Sequence, residues 1–474
     1  MLRTWQAECV DQAINKFSSN RRPHFFCQAT PGAGKTVMAA EVAKRLFQEG
    51  MIDLVLCFSP SLSVAEGMKN TFSWKLECSF NGGLGSLGGS YTYQSIRFLD
   101  ENFWNTVSKY RVLVVFDEIH HCSFDDEGRS NSWGLEIVSK IQSFARYTLA
   151  LSGTPWRSDR LPIVMAEYSD PEGMLVCDYQ YGLQQAVFDG VCRQPKIALI
   201  DNEHLSIQTG NSNQNFASIL ECLKESDVSY QSVIHNDDAI NYILNSGCQK
   251  LAQIRQQSPN AGGLVVAASI KHAKHIQKRL VEHFNQSACI VTYHLDNPLN
   301  EIESFRHSSV QWIVSVGMIS EGTDIPRLQV CCHMSSVNTE LYFRQVLGRI
   351  LRVNDSPNQE AWLYTFAEES LVKFAERVEE DIPESCMFVG IENSVIPRCA
   401  NSSSEEAGTT YESRKNDFRK LEWATGTFIE STNSDFLAFE ESERIKLGAF
   451  RERVIAAFDY VESPKPTICD RITH

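Results

Sequence analysis

The sequence is poor in positive charge and has no long apolar run. Lys and Arg number 44 against 59 Asp and Glu, which gives a formal net charge of -15. Such a surface repels polyanions at long range, so a nucleic-acid path has to be a local basic strip inside a cleft. The longest apolar runs are five or six residues, and residues 1–22 lack the apolar core of a signal peptide. These absences predict a cytoplasmic protein that does not enter a membrane.

Paired cysteine spacing is also absent. The chain has 15 cysteines but no C-x-x-C pair, and several lie inside apolar runs, as Cys27, Cys57 and Cys331 do. This pattern predicts buried, reduced thiols and no structural zinc. The run His120-His121-Cys122 resembles half of a metal site, but the sequence offers no second half.

Length and periodicity predict several α/β units. At 474 residues the chain exceeds one core, since domains take roughly 150 residues each. Apolar strand-like runs alternate with helical stretches, which is typical of parallel sheets covered on both faces. Ligands of such sheets bind at the carboxyl ends of the strands. We predict a first lobe over 1–195, a helical connector over 196–259, a second lobe over 260–370 and a mostly helical accessory tail over 371–474.

A phosphate-binding loop follows the first strand-like run. It runs from Ala29 to Thr36, ends in Gly34-Lys35-Thr36 and precedes a helix-like stretch from Val37. Glycines allow a tight turn whose N–H groups point inward, and the following helix adds its positive end. Lys35 would reach the β- and γ-phosphates, and the Thr36 hydroxyl would bind Mg²⁺. The predicted phosphate-binding residues are Thr30, Pro31, Gly32, Ala33, Gly34, Lys35 and Thr36.

An acidic pair ends another buried strand. Residues Val112 to Phe116 are uniformly apolar and are followed by Asp117 and Glu118. Asp117 can hold Mg²⁺ together with Thr36, and Glu118 can polarise the attacking water. An exposed acidic turn is the alternative, which the preceding phosphate loop disfavours.

Two basic helical runs lie in the second unit. In the first, Gln345, Gly348, Arg349 and Arg352 recur at spacings of three and four, so they share one helix face. Two arginines there suggest a phosphate clamp across a domain cleft, with a solvated basic face as the alternative. The second run carries Lys271, Lys274 and Lys278, for which a solvated face and a nucleic-acid contact remain equally open.

Six motifs together resemble the ordered motifs of superfamily 2 helicases and translocases. They are Gln6, Ala29 to Thr36, Asp117 to His120, Ser152 to Thr154, Glu321 to Asp324, and Gln345 to Arg352. The Asp-Glu-Ile-His-His and Gln-x-x-Gly-Arg-x-x-Arg runs are most similar to the branch with XPB-type DNA openers, RadD-like and UvsW-like proteins and restriction-enzyme motor subunits. In DEAD-box RNA helicases the last motif starts with His rather than Gln.

This resemblance implies two RecA-like lobes with ATP and Mg²⁺ between them. Gln6 would read adenine, while Gln345, Arg349 and Arg352 would close from the second lobe, one arginine acting as the finger. The resemblance assigns coupling of nucleotide state to movement to His120, Ser152 and Thr154, nucleotide contact to Gly322 and Asp324, and nucleic-acid contact to Thr92, Tyr93 and Gln94.

The implied function is that of an ATP-driven DNA helicase or double-stranded DNA translocase. Double-stranded or branched DNA is the expected partner, in repair, recombination or phage defence, with a nuclease or a defence or repair subunit as a further partner. The zinc module of RadD-like proteins and the nuclease domain of restriction motors are not recognisable. An RNA helicase and a nucleotide-switched scaffold subunit are the alternatives.

Overall fold

The computed structural model describes residues 2–19, 23–122, 141, 144–156, 163, 165–169, 175–209, 212–292, 295, 297–317, 323–380, 441–442 and 444–458. Its first lobe is built on a six-stranded parallel sheet. In chain order the strands are β1 His24–Ala29, β2 Leu54–Ser59, β3 Gly88–Thr92, β4 Val112–Asp117, β5 Ala145–Ser152 and β8 Tyr179–Tyr181. The order across the sheet is β3-β2-β4-β5-β1-β8. Every residue of β4 is buried, because helices cover both faces of the sheet.

Helices and short 3-10 turns connect these strands. The helices are α1 Thr4–Ser18, α2 Lys35–Gln48, α3 Leu62–Leu76, α4 Glu101–Val107 and α5 Leu183–Phe188, with 3-10 turns at Tyr93–Phe98 and Ile119–His121. A small ladder of β6 Glu167–Tyr168 and β7 Leu175–Val176 lies between β5 and β8 in the chain. The phosphate-loop sequence joins β1 to α2 at the carboxyl edge of the sheet.

The second lobe is a seven-stranded sheet. Its strands are β9 Gln194–Asn202, β12 Gly262–Ala267, β13 Ala288–Val291, β14 Trp312–Ser315, β15 Leu328–Met334, β16 Glu360–Phe366 and β18 Phe450–Ala456. They are ordered β13-β14-β12-β15-β16-β9-β18, and all pairs are parallel except that of β9 with β18. Its helices are α6 Ile219–Glu225, α7 Tyr230–His235, α8 Asp237–Arg255, α9 Ile270–Glu282, α10 Pro298–His307, α11 Glu340–Ile350 and α12 Glu369–Glu376. The prediction of two parallel-sheet lobes in tandem is confirmed.

The helical connector predicted over 196–259 needs correction. The segment opens with β9, which pairs with β16 over seven residues and so belongs to the second sheet. The antiparallel strands β10 Leu205–Thr209 and β11 Ser212–Phe216 follow before the helices begin. Residues 197–200 are apolar and form a strand by pairing with β16. Because β16 lies far along the chain, the local sequence does not identify this strand.

The described part of the predicted helical tail also differs from expectation. After α12, the strands β17 Ile445–Leu447 and β18 pair with β10 and β9, respectively. Residues 381–440 and 459–474 of that prediction lie outside the described residues.

The two lobes share an apolar cluster. It contains Ala33 of the phosphate loop and Met38 of α2 together with Val346, Leu347 and Ile350 of α11. A second cluster, on the other face of the second sheet, contains α8 and α9 residues such as Leu251 and Ile276. Within the described chain, no helix combines the length and apolar character needed to cross a bilayer.

Candidate nucleotide site between the lobes

The phosphate loop adopts a tight turn at the start of α2. Gly32 and Gly34 have φ of 85° and 95°, in the left-handed region that favours glycine. The Ala33 amide donates to the Thr30 carbonyl (3.2 Å), and Thr30 in turn donates to the Tyr181 carbonyl (3.0 Å) on β8. The loop therefore has the backbone shape of an anion cradle at a helix N-terminus.

Lys35 is held at the centre of the site. Its ammonium lies 3.2 Å from a carboxylate oxygen of Glu118 and donates to the Ala29 carbonyl at 3.2 Å. Its side chain is only 8% exposed. A buried cation between a glycine-rich turn and a carboxylate has the charge that polyphosphate binding requires, and Thr36 follows it directly on α2.

Asp117 and Glu118 lie where the sequence predicts, at the carboxyl end of β4. Asp117 is buried, and Glu118 follows it with φ 51°, a conformation uncommon for a residue other than glycine. Burial raises the pKa of Glu118, but Lys35, His120 and the Gly153 amide together outweigh burial and hold that pKa below its usual range. Glu118 is therefore ionised at neutral pH, as a water-orienting base requires.

The three predicted coupling residues are neighbours of this carboxylate. The His120 ring is 3.5 Å from a Glu118 oxygen, and its Nδ1 is 2.9 Å from the Ser152 hydroxyl. The Thr154 amide donates to the same hydroxyl at 3.2 Å. The turn after β5 is thus joined to the acidic turn after β4 by side-chain hydrogen bonds.

Gly153, between Ser152 and Thr154, packs closely against Glu118 and the phosphate loop. Its amide donates to Glu118 at 3.2 Å, and a Cβ at this position would lie 3.0 Å from the Lys35 ammonium and 3.1 Å from Pro31. A side chain here would crowd Lys35 and Pro31, so the glycine lets the turn after β5 lie against the phosphate loop.

The second lobe reaches the phosphate loop through α11. A Cβ on Gly348 would lie 2.7 Å from Pro31, so the helix backbone packs directly on the loop. A Cβ on Gly32 would lie 3.1 Å from Cγ of Arg352. Arg352 Nε is buried and has no hydrogen-bond partner among the described residues, and Arg352 also donates to Asp324. An unpartnered guanidinium N–H beside the cradle fits a phosphate ligand.

The predicted shared helix face is correct only in part. Helix α11 ends at Ile350, and Arg352 instead lies in an antiparallel bridge with Cys192. Arg349 is buried in the second lobe and donates to the Thr323 carbonyl at 2.8 Å, while Gln345 is buried on the same helix. Of the two candidate fingers, Arg352 is in contact with the loop at Gly32. Gly322 lies outside the described residues.

Gln6 is engaged by the protein itself. Its amide nitrogen donates to the Gly34 carbonyl (2.9 Å), and its oxygen accepts from the Arg3 amide (2.9 Å). The Arg3 guanidinium adds a 2.7 Å bond to the Ala33 carbonyl. Gln6 thus supports the phosphate loop in this structure, and its reading of adenine stays a prediction.

Of the three residues predicted to contact nucleic acid at the end of β3, Tyr93 requires a correction. Tyr93 is 2% exposed, and its hydroxyl donates to the Asp117 carbonyl at 2.8 Å, so it supports the acidic turn from within the core. Thr92 is also buried, whereas Gln94 is partly exposed and donates to the Pro60 carbonyl at 3.4 Å. The Tyr93 hydroxyl has its hydrogen-bond acceptor inside the lobe, so this side chain does not reach the surface. Contact of Thr92 and Gln94 with nucleic acid stays a prediction.

The three predicted lysines lie on the outer face of α9. Lys271, Lys274 and Lys278 are exposed, and Lys278 is 3.9 Å from Glu282. The buried side of α9 belongs to the apolar cluster formed by the second lobe alone. Their contact with nucleic acid remains a prediction.

Sequence reasoning missed a second contact between the lobes. Arg344 of α11 lies over the Trp156 ring, 5.6 Å from its centroid, and is fixed by Glu340 at 3.0 Å. Trp156 is two residues beyond Thr154, whose carbonyl accepts from the Trp156 amide at 2.8 Å. Both residues were visible beside predicted motifs, but nothing local in the sequence pairs them.

Part of the chain matches a known sequence family, and individual relatives match most of it. Residues 1–157 match the sequence family described as type III restriction enzyme, res subunit. An uncharacterised protein of Mycobacterium leprae, ML1624, is 26% identical over 80% of the chain, and the match spans 64% of that relative's length. The DNA 3'-5' translocase XPB2 of Sulfurisphaera tokodaii is 24% identical over 75% of the chain and 79% of its own length.

A solved structure shares the fold. The ATP-dependent type ISP restriction-modification enzyme LlaBIII bound to DNA superposes with a TM-score of 0.51 at 15% identity. The match covers 78% of this chain and 28% of that one, so it concerns the two lobes and not the whole of the larger enzyme.

Proposed function

Because the chain is a superfamily 2 helicase-like protein, we propose that it is a cytoplasmic ATPase that couples hydrolysis to movement on, or remodelling of, double-stranded DNA. One observation carries the ATPase proposal. Arg352 of the second lobe lies against Gly32 of the phosphate loop. The loop belongs to the first lobe, which also holds Lys35 and Glu118. A phosphoryl group in the loop would therefore be in reach of cations from both lobes.

Each residue of the site has a role in this proposal. Lys35 binds the β- and γ-phosphates, and Glu118, kept ionised, orients the attacking water. Arg352 stabilises charge that builds on the transferred phosphoryl. Mg²⁺, when bound, neutralises phosphate charge, and the Thr36 hydroxyl and the Asp117 carboxylate are the groups that would hold it.

Coupling to movement follows from where the cleft lies. The loop that binds phosphate touches Gly348, and the turn after β5 touches both Glu118 and α11 through Trp156. Binding and release of the γ-phosphate would change the closure of the lobes, and such closure moves two nucleic-acid contacts relative to each other.

Double-stranded DNA is the proposed track. The translocase XPB2 is a DNA motor by its name, and LlaBIII was solved with DNA, which supports DNA over RNA for this chain. A protein of net charge -15 needs local cationic contacts to hold a polyanion, and the exposed lysines of α9 are candidates.

The test is the ATPase rate of the full chain with duplex DNA, single-stranded DNA and RNA at one salt concentration. We expect duplex or branched DNA to stimulate turnover most, and Lys35→Ala to abolish turnover with every nucleic acid. Equal or greater stimulation by RNA would overturn the DNA proposal and leave the ATPase proposal intact. A wild-type chain whose turnover no nucleic acid stimulates would overturn the DNA proposal, and one without turnover under any of these conditions would overturn both.

A further inference from the structure

The chain crosses from one lobe to the other at Cys192 and Arg193. The amides of Val191 and Cys192 both donate to the Ala186 carbonyl of α5, at 2.8 and 2.9 Å. The next amide, of Arg193, donates at 2.7 Å to the Leu351 carbonyl, just beyond α11. Hydrogen bonding thus changes lobes within one residue, directly beside the bridge between Cys192 and Arg352.

The Arg193 side chain is 1% exposed and has an acceptor for each of its five N–H groups. The acceptors are the Gln359 side chain (3.1 Å), the carbonyls of Leu328 (2.7 Å), Ile350 (3.2 Å) and Pro326 (3.1 Å), and the Asn354 side chain (3.0 Å). All five are neutral oxygens. The number and the planar arrangement of donors, rather than charge pairing, therefore fit this cage.

These acceptors lie on both sides of the candidate finger. Ile350 is the last residue of α11, two positions before Arg352. Pro326 and Leu328 follow Asp324, the carboxylate that pairs with Arg352. A cation at the carbonyl end of α11 is also favoured by the helix dipole. One guanidinium thus connects the segment that carries Arg352 to the segment that carries its partner.

We propose that Arg193 is a positioning residue that sets Arg352 against the phosphate loop. It touches no phosphate itself; it fixes the end of α11 and the 324–328 segment relative to the interlobe crossing. Lysine cannot replace it, because an ammonium has three donors and no fixed plane. The inference rests on the proposed ATPase function, in which Arg352 serves as the finger.

Arg255 is a control in the same lobe. It is the last residue of α8, is partly buried, and donates to the backbone carbonyls of Ala261 (2.5 Å) and Ser309 (3.5 Å). Neither Arg255 nor these two acceptors belong to α11 or to the 324–328 segment. Replacing Arg255 removes arginine–carbonyl bonds at a helix end without changing a residue beside Arg352.

The experiment compares Arg193→Lys, Arg193→Met and Arg255→Met in the full chain. Melting temperature, kcat and KM for ATP are measured, together with affinities for ADP and for ADP with aluminium fluoride, an analogue of the transferring phosphoryl group. Displacement of a catalytic group by about 1 Å can cost about 10²-fold in rate. We expect both Arg193 variants to lose kcat on that scale, and to lose the extra affinity for the fluoride complex while affinity for ADP is kept.

Arg255→Met should lower the melting temperature and keep both kcat and the affinity ratio. Arg193 variants that keep the wild-type ratio, or that match Arg255→Met, would overturn the inference alone. A wild type that binds the fluoride complex no tighter than ADP would overturn the proposed function and this inference with it. Should Arg193→Met not fold, Arg193→Lys and Asn354→Ala, which removes one acceptor, give the same comparison.

Discussion

At the scale of single residues, Lys35 and Glu118 neutralise each other at 3.2 Å. In the proposed function, polyphosphate would take Lys35 from this pair and leave Glu118 beside His120 and the Gly153 amide. Nucleotide binding and release of the proposed base would then occur together.

The two members of the pair should give different lesions. We expect Lys35→Ala to abolish productive ATP binding, because it removes the charge that faces the phosphates. Glu118→Gln should keep binding and hold the closed state, with kcat lower by about 10²- to 10⁴-fold, the usual contribution of a positioned base. Binding of a fluorescent nucleotide and steady-state turnover separate the two. Near wild-type hydrolysis by Glu118→Gln would remove Glu118 from this role.

Gly153 offers a second test at this scale. A methyl group there would press on the Lys35 ammonium and on Pro31, so Gly153→Ala should weaken nucleotide affinity through the loop. Gly67 of α3 is the control, since a Cβ there meets nothing within 4 Å and alanine in a helix is favoured by about 0.5–1 kcal/mol. Calorimetric titration with ADP measures both. Equal affinities for the two variants would mean that the turn after β5 can move away from the loop without cost.

At the scale of elements, α11 and the residue just past its end join the lobes through several contacts of the described residues. Gly348 packs on Pro31, Arg344 lies over Trp156, and Arg352, just past the helix end, lies on Gly32. Arg344 is further tied to Glu340, which also pairs with Arg377 beyond α12. A displacement of α11 would therefore change its contacts with the phosphate loop and with the turn after β5 at the same time.

The placement of the two arginines predicts unequal effects. Arg352→Ala should lower turnover by about 10³-fold or more, as loss of a finger does, with nucleotide affinity within about tenfold. Arg349→Ala removes a bond to the Thr323 carbonyl inside the lobe and should lower the melting temperature more than Arg352→Ala does. Thermal melts and single-turnover rates on both variants check this. The assignment of the finger would pass to Arg349 if only its variant lost turnover.

Elements with local signals could be predicted from the sequence, and those with distant partners could not. The phosphate loop, the acidic end of β4 and the turn after β5 are each short runs whose glycines and carboxylates carry their own meaning. Strand β9 pairs with β16, which lies well over a hundred residues later in the chain. The prediction of a polar, helical segment over 196–259 is therefore wrong at its start. Tyr93 shows the same limit, since only the fold reveals that its hydroxyl meets Asp117.

At the scale of the whole molecule, charge decides how a track is held. With net charge -15, binding to DNA should depend on few contacts and fall steeply with salt, by about 0.9 in log affinity per log salt for each phosphate neutralised on a duplex.

Replacing Lys271, Lys274 and Lys278 with Ala should reduce that salt slope and lower DNA-stimulated turnover, with the basal rate unchanged. The control replaces Lys69, Lys109 and Lys446, three other lysines at the surface, which changes the net charge equally. Affinity for duplex DNA at several salt concentrations is the measurement. Identical slopes for the two triple variants would show that α9 is a solvated face.

The strand β18 has a consequence for the protein as a polymer. It pairs with the outer edge of β9. The residue after it is bonded to the start of β9, since the Ala457 amide donates to the Pro195 carbonyl at 3.2 Å and the Gln194 side chain donates to the Ala457 carbonyl at 2.9 Å. Among the described strands, β18 is then itself the edge of the seven-stranded sheet. Uncovered edges recruit strands from other molecules, and charged side chains along an edge oppose such pairing. The exposed residues Arg451, Glu452 and Arg453 on β18 carry such charges, so self-association through this edge would be disfavoured.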